Sequence, residues 1–376
     1  MLSFDRGMEM GLFSFLKSDK RKQPDNQIVD DVRRIENVTQ ESVVEFDIIP
    51  IEERIKGKAP SCDGLHPHEI LILSYAPLYR CGGENTYPRF WWYKYGIRDV
   101  TGILESLKER GYLTTGSIKD AIGLAKLPQI KEVLKENGLK VSGKKAELVD
   151  RLISEVPEEK LEPVFTSRPY VRTEIAEQLI CKYEWIPYIH SKLIEDLDIW
   201  NLTDLVLQNH SGKYRDVIWG YLNKRCMEHA QNRSFGHYRN TKLTMSEFLT
   251  EEKKLNEAFV LLCEVVIYDL NCTGNNFSIE VLPISSKYFF PYEESILTLA
   301  PGVLNRLDMI AKENNWDDDT FRKNLLESFD KFNLPFRLFT NEECAEIVFA
   351  ELVEDKERVT SVYKTAEKRF KQKYKF

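Results

Sequence analysis

The stretch Leu127–Ile153, LPQIKEVLKENGLKVSGKKAELVDRLI, decides most of what this chain can be. Its first half places Leu127, Ile130, Val133 and Leu134 at helical spacing, which makes one side of a short helix apolar. Gly138 then stands where helices commonly end in the left-handed conformation, which glycine adopts without strain. A second helix is predicted to open at Ser142 as N-cap, with Leu148, Val149, Leu152 and Ile153 as its buried stripe. At about 100° per residue, Lys144 and Arg151 fall within roughly 20° of each other and flank that stripe. Lys145 lies along it in the first turn, where its stem packs while its amine reaches past the helix end. Lysines beside the free N–H groups of a helix N-terminus suit a phosphate.

This stretch resembles the SAP domain, a small helix–turn–helix-like module that binds DNA. The resemblance rests on the leucine spacing, the N-G-L turn at Asn137–Leu139, the S-G-K-K run at Ser142–Lys145 and the L-V-D-R-L run at Leu148–Leu152. It covers under a tenth of the chain, slightly more with a preceding helix near Ser117–Ala125. It implies a DNA contact through Lys140, Ser142, Gly143, Lys144, Lys145 and Arg151, with the backbone N–H groups of Gly143 and Lys144 helping. Three or four phosphates would give a salt slope near −3, and affinity would fall roughly a hundredfold between 50 and 200 mM salt. Such binding alone is weak and largely sequence-neutral, so a second contact is expected. The plain alternative is a structural hairpin whose lysines are solvated.

Net charge limits where nucleic acid can bind. The 376 residues carry a formal charge of −7, which opposes a surface coated by phosphates and makes any contact local. The basic patches are Lys126–Lys145, Lys17–Lys22 and the tail Arg358–Lys375. Seven scattered cysteines without a C-x-x-C pair, and no cleavable signal, predict a reduced cytoplasmic protein. The resemblance to the SAP domain adds the expectation of a bacterial-type protein, with nucleoid association a further option. No apolar run approaches the roughly 20 residues a membrane span needs. The longest, Ala258–Leu270, is interrupted by Glu264 and Asp269 and reads as a core helix. Met10 opens MGLFSFLKSDKRK like the start of many bacterial soluble proteins, so Met1–Glu9 reads as an upstream extension.

The expected fold class is mainly α: a helical, multi-domain chain with a small SAP-like module and a minor winged-helix-like β component. The expected divisions are a charged linker over 1–60, with an extended run at Val43–Ile51, a helical unit over 61–113, the SAP-like module over 114–156, a linker or wing over 157–173 and a helical domain over 174–376. In the second of these, Pro67 starts a helix that stops by Pro77, and Asp99–Tyr112 forms another, capped by Asp99 or Thr101 and stopped by Gly111. A helix ending in L-x-x-L-x-x-x-G-Y-L before an extended piece is similar to the recognition helix and wing of winged-helix modules. Tyr170–Thr173 would be the second wing strand, which inserts the SAP-like hairpin between Leu113 and Pro169. Independent modules on linkers are the alternative.

Beyond Glu174 the pattern is helical. Trp185, Ile189, Leu193 and Leu197 recur at spacing four, Ser246 is read as the cap of a helix reaching Tyr268, and further helices are expected at Ser295–Lys312, Asp319–Asp330 and Glu342–Phe376. Between them, Asn271–Asn276 reads as a polar turn and Phe277–Ile284 as a short strand.

No catalytic constellation emerges, and no enzyme, cofactor or metal site is expected. His66 and His68 flank a proline and lack the i, i+4 spacing of H-E-x-x-H, which favours capping and surface roles. His210-Ser211-Gly212-Lys213-Tyr214 lacks the first glycine and the terminal Ser/Thr of a phosphate loop. Asp317–Asp319 precede a helix and suit its N–H groups better than a pair of metals. The aromatic run Phe90, Trp91, Trp92, Tyr93 and Tyr95, with Arg89 and Lys94, suits a core and also suits stacking on unpaired bases. The tail Lys364–Phe376 continues a helix or adds a non-specific DNA contact. Two functions follow: a non-enzymatic DNA-binding protein, or a scaffold whose C-terminal helices bind a protein partner while the hairpin is structural.

Overall fold

The structure is a computed structural model, and it describes residues 48–209, 212–271, 299–334 and 337–374. The chain is mainly α, with 18 α-helices and one three-stranded sheet among the described residues. They form two compact units, 48–214 and 215–374.

In the first unit, α1 (Ile51–Ile55) is followed by α2 (Pro67–Tyr75), with Pro67 in its first turn and the Glu69 carboxylate accepting from the His66 N–H at 2.7 Å. Strand β1 (Arg80–Cys81), α3 (Phe90–Tyr93) and α4 (Val100–Glu109) come next. Asp99 caps α4 by accepting from the Gly102 N–H at 2.7 Å. Val100, Leu104 and Leu107 are its buried face, and Gly111, at φ +81°, ends the turn beyond it.

Strand β2 (Leu113–Thr115) then pairs antiparallel with β3 (Arg168–Arg172), Leu113 opposite Arg172 and Thr115 opposite Tyr170. On its other edge β3 pairs with β1, giving the order β1-β3-β2. Residues 116–167 therefore leave and rejoin a sheet at two neighbouring strand ends. The Gly116 N–H donates to the Pro169 carbonyl at 2.8 Å and closes the stem. That inserted segment contains α5 (Ile118–Leu124), α6 (Leu127–Glu136), α7 (Lys145–Glu155) and α8 (Glu158–Leu161).

After β3 come α9 (Glu174–Lys182), α10 (Trp185–His190) and α11 (Asn201–Gln208). Because α9 and α10 pack on α2, residues 174–214 belong to the first unit and the division falls at 214/215 instead of near 173. The four-residue periodicity from Trp185 to Leu197 is not one helix: α10 stops at His190, and Leu193 is 91% exposed. The segment expected as extended up to Ile51 instead begins a helix there, and the Ile51 N–H donates to Gly96. At Gly96, φ is +73° and a Cβ would lie 2.1 Å from the Ile49 carbonyl, so glycine is required for this close approach. Residues 43–47 of that run, and the N-terminal segment with Met10, lie outside the described residues.

The second unit consists of α12 (Tyr214–Gln231), α13 (Phe235–Glu251), α14 (Leu255–Leu270), α15 (Pro301–Glu313), α16 (Asp318–Phe329), α17 (Asn341–Leu352) and α18 (Lys356–Tyr374). Its core includes Leu262, Val266, Leu307, Phe321, Val348 and Tyr363. Ser246 is not a cap: it is buried inside α13, and its hydroxyl donates to the Leu243 carbonyl at 2.7 Å. The break falls later, where Lys253 adopts φ +61°. The helix expected from Glu342 to the end is two helices, parted at Glu354 with φ +57°. Asp317 caps α16, accepting from the Thr320 N–H at 2.8 Å, and that hydrogen bonding holds its carboxyl below the usual range. Phe277–Ile284 and the turn beyond Asn271 lie outside the described residues.

Candidate nucleic-acid interface

The inserted helices have a core of their own, centred on Ile122, Ile130, Leu134, Leu148, Leu152 and Leu161. Phe165 is buried in the same cluster. Residues 157–165, expected as linker or wing, thus pack into the module. Local sequence sets each helix. Ser117 and Asp120 form a capping box on α5, with the Asp120 carboxylate accepting from the Ser117 N–H at 2.7 Å. At the end of α6, Gly138 takes φ +70° and the Leu139 N–H donates to the Leu134 carbonyl at 2.8 Å.

The turn into α7 brings Lys140, Ser142, Gly143, Lys144 and Lys145 to one exposed surface. Their roles there differ from those the sequence suggested. Lys144, not Ser142, is the N-cap residue. The Glu147 carboxylate folds back to accept from the Lys144 N–H at 3.1 Å, so that N–H is already satisfied and an acidic group sits at the helix start. Gly143 has φ +136°, and a Cβ on it would lie 2.6 Å from a Glu147 carboxylate oxygen. Glycine is therefore needed for the cap to close. The signal for this was present in the Lys144-x-x-Glu147 spacing.

The cations also divide. Arg151 is half-buried, and its guanidinium donates to the carbonyls of Lys140 and Ser142, the second at 3.4 Å. It braces the turn from behind. The Lys145 ammonium donates to the Gly123 carbonyl at 2.8 Å, in the last turn of α5, where a cation complements the helix dipole. Three ammonium donors leave Lys145 two further hydrogen bonds to offer. The side chains of Lys140 and Lys144 have no partner among the described residues. Over 125–156 there are seven Lys or Arg against five Asp or Glu, a net +2 in a chain of −7.

Residues 125–156 match the SAP domain family model. The chain carries a SAP domain. The SAP domain is a DNA-binding module, which gives this protein a general nucleic-acid-binding role. No curated protein and no solved structure matched the chain.

Outside the SAP domain, the aromatic run splits between two surroundings. Trp91 and Tyr95 are buried, and the Trp91 indole N–H donates to the Tyr79 hydroxyl at 2.9 Å. His190, which sequence reading did not single out, joins them: Nδ1 meets the Tyr95 hydroxyl at 2.5 Å and Nε2 the Tyr75 hydroxyl at 2.9 Å. Burial, with Lys94 nearby, pushes its pKa down to about 4, so it is neutral near pH 7. His68 is likewise buried rather than on the surface, and burial with His66 nearby lowers its pKa to about 3. Among the described residues, no three His, Cys, Asp or Glu side chains converge as metal ligands, and no helix is long and apolar enough to cross a membrane. His210 and Ser211 lie outside the described residues.

Proposed function

We propose that the protein binds duplex DNA, without catalysing a reaction on it, through the turn that opens α7 of its SAP domain. The observation that carries this reading is the pair of unpartnered ammonium groups, Lys140 and Lys144, beside Lys145 on one exposed turn. Phosphate is met by these three side chains, the Ser142 hydroxyl and the Gly143 N–H, while Arg151 holds the turn in shape. Glu147 keeps a bare helix N-terminus from being the main attraction. Ammonium groups without a planar fork read charge and not base edges, which makes the contact largely sequence-neutral. The stem at β2 and β3 joins the SAP domain to a three-stranded sheet, which supports a DNA contact that stands on a sheet instead of a loose linker.

Three phosphates predict a salt slope of about −2.7, hence a loss of about 40-fold between 50 and 200 mM salt. Anisotropy titration of a labelled duplex with the full chain measures this. Lys140→Ala/Lys144→Ala should weaken binding at 100 mM salt at least tenfold and move the slope to about −0.9. Unchanged affinity and slope would discard the reading and leave a helical scaffold for a protein partner. Duplex that stays intact through a prolonged incubation with magnesium and manganese is the expected outcome of a nuclease assay.

A further inference from the structure

A second basic site lies in the same unit, at the start of α4. A cavity of about 350 Å³ is lined by Tyr87, Arg89, Trp91, Trp92, Ile97 and Arg98, among others. Its floor is apolar, since Trp91, Ile97 and Val100 are buried. The walls are fixed by polar contacts. The Tyr87 hydroxyl hydrogen-bonds the Thr101 hydroxyl at 2.8 Å, and the Tyr87 ring meets Tyr79 edge-on at 4.8 Å. The Arg98 guanidinium lies 4.0 Å above the half-buried Trp92 ring, which holds its plane at the rim. Arg89 and Arg98 are both exposed, and neither has a carboxylate partner among the described residues. The nearest acid in sequence, Asp99, is committed to the Gly102 N–H. Tyr93, on the exposed side of α3, is 53% accessible.

A cavity of this volume, near the small end of ligand sites and with an apolar floor, has room for one flat ring. Two fork-shaped cations at its mouth suit a phosphate. Resting on the nucleic-acid-binding reading above, we infer that this cavity takes an unpaired base of single-stranded nucleic acid, with the adjoining phosphate between Arg89 and Arg98. A paired base cannot present its face to such a slot, because both faces are covered by its neighbours in the stack. The protein thereby has two nucleic-acid contacts in one unit: the SAP turn for duplex backbone and this slot for an unpaired nucleotide. Such an arrangement favours junctions and partly opened duplexes, where both can engage at once.

Anisotropy with labelled oligo-dT and with a blunt duplex separates the two sites in the full-length protein. Arg89→Ala/Arg98→Ala should weaken oligo-dT binding at least tenfold, reduce its salt slope by about 0.7, the share of the one phosphate they hold, and change duplex binding by less than twofold. Trp92→Ala should weaken oligo-dT binding with the salt slope unchanged, and far-UV melts would show each variant folded. Lys140→Ala/Lys144→Ala should do the opposite, so failure of the duplex arm alone removes the SAP proposal and leaves this one standing. Oligo-dT affinity within twofold of wild type in the arginine variant overturns the inference, as does an equal loss on both ligands. Displacement of oligo-dT by free dTMP at matching nucleotide concentration would also overturn it, reassigning the slot to a small metabolite.

Discussion

The SAP domain and the C-terminal helical unit are both rich in cations, but they use them oppositely. In the C-terminal unit the guanidiniums close on carboxylates: Arg239 on Asp269 at 2.5 Å, Arg215 on Glu252 at 2.8 Å, Arg322 on Glu346 at 2.7 Å and Arg369 on Glu343 at 2.5 Å. Even the acids that interrupt the apolar run of α14 are matched, Glu264 by Lys242 at 3.1 Å and the Tyr238 hydroxyl at 2.7 Å. In the SAP domain, Lys140 and Lys144 face outward with no acid opposite. Density of positive charge in the sequence is therefore a poor guide to which cations are free to meet a phosphate; the pairing of each charge decides that.

The largest test of that contrast removes a paired cation. Arg239→Ala leaves the Asp269 carboxylate largely buried and without its two hydrogen bonds, a loss of about 2–3 kcal/mol in a urea titration. The duplex salt slope should stay at its wild-type value, and a changed slope would break the division between structural and binding cations. A finer test lies inside the SAP domain itself. Arg151→Ala should lower the domain's stability by about 1 kcal/mol, because two turn carbonyls lose their donor, and it should weaken duplex binding with little change in slope. A slope reduced by about 0.9 would instead make Arg151 a phosphate ligand. The smallest effect is expected in the tail. Lys364 and Lys368 are exposed on α18, whose other face buries Tyr363 and Phe370, and Lys364→Ala/Lys368→Ala should alter duplex affinity by less than twofold. A tenfold loss would move part of the DNA contact into the C-terminal unit.

Much of this was legible because local rules act over a few residues. The Gly138 helix stop, the Asp99 cap, the Asp317 cap and the two apolar stripes of the SAP hairpin depend on spacings of three to five positions. The structure places them there except for Leu127, which keeps the period of the first stripe but is 38% exposed at the helix start. Readings failed where local and tertiary preferences compete. Ser142 and Ser246 are both good caps by type, yet Glu147 with Gly143 moves the first helix start to Lys144, and packing carries α13 straight through Ser246. Leu193 keeps the helical period of its neighbours but points into solvent after α10 has ended.

The sequence by itself determined that a lysine-rich hairpin of SAP type exists here, since its glycine, apolar stripe and charges lie within 27 consecutive residues. Only the tertiary structure decided which cations remain available: Arg151 turns inward to carbonyls that lie nine and eleven positions away, while Lys140 and Lys144 do not. Only it separated Trp91 and Tyr95, locked around a histidine about a hundred residues downstream, from Trp92, left at a cavity rim beside Arg98. The physical reason is the same in both cases. Spacing fixes which side of a helix a residue occupies, but hydrogen-bond partners and neighbouring surfaces come from distant chain, and they settle whether a polar or aromatic group is satisfied inside or offered outside.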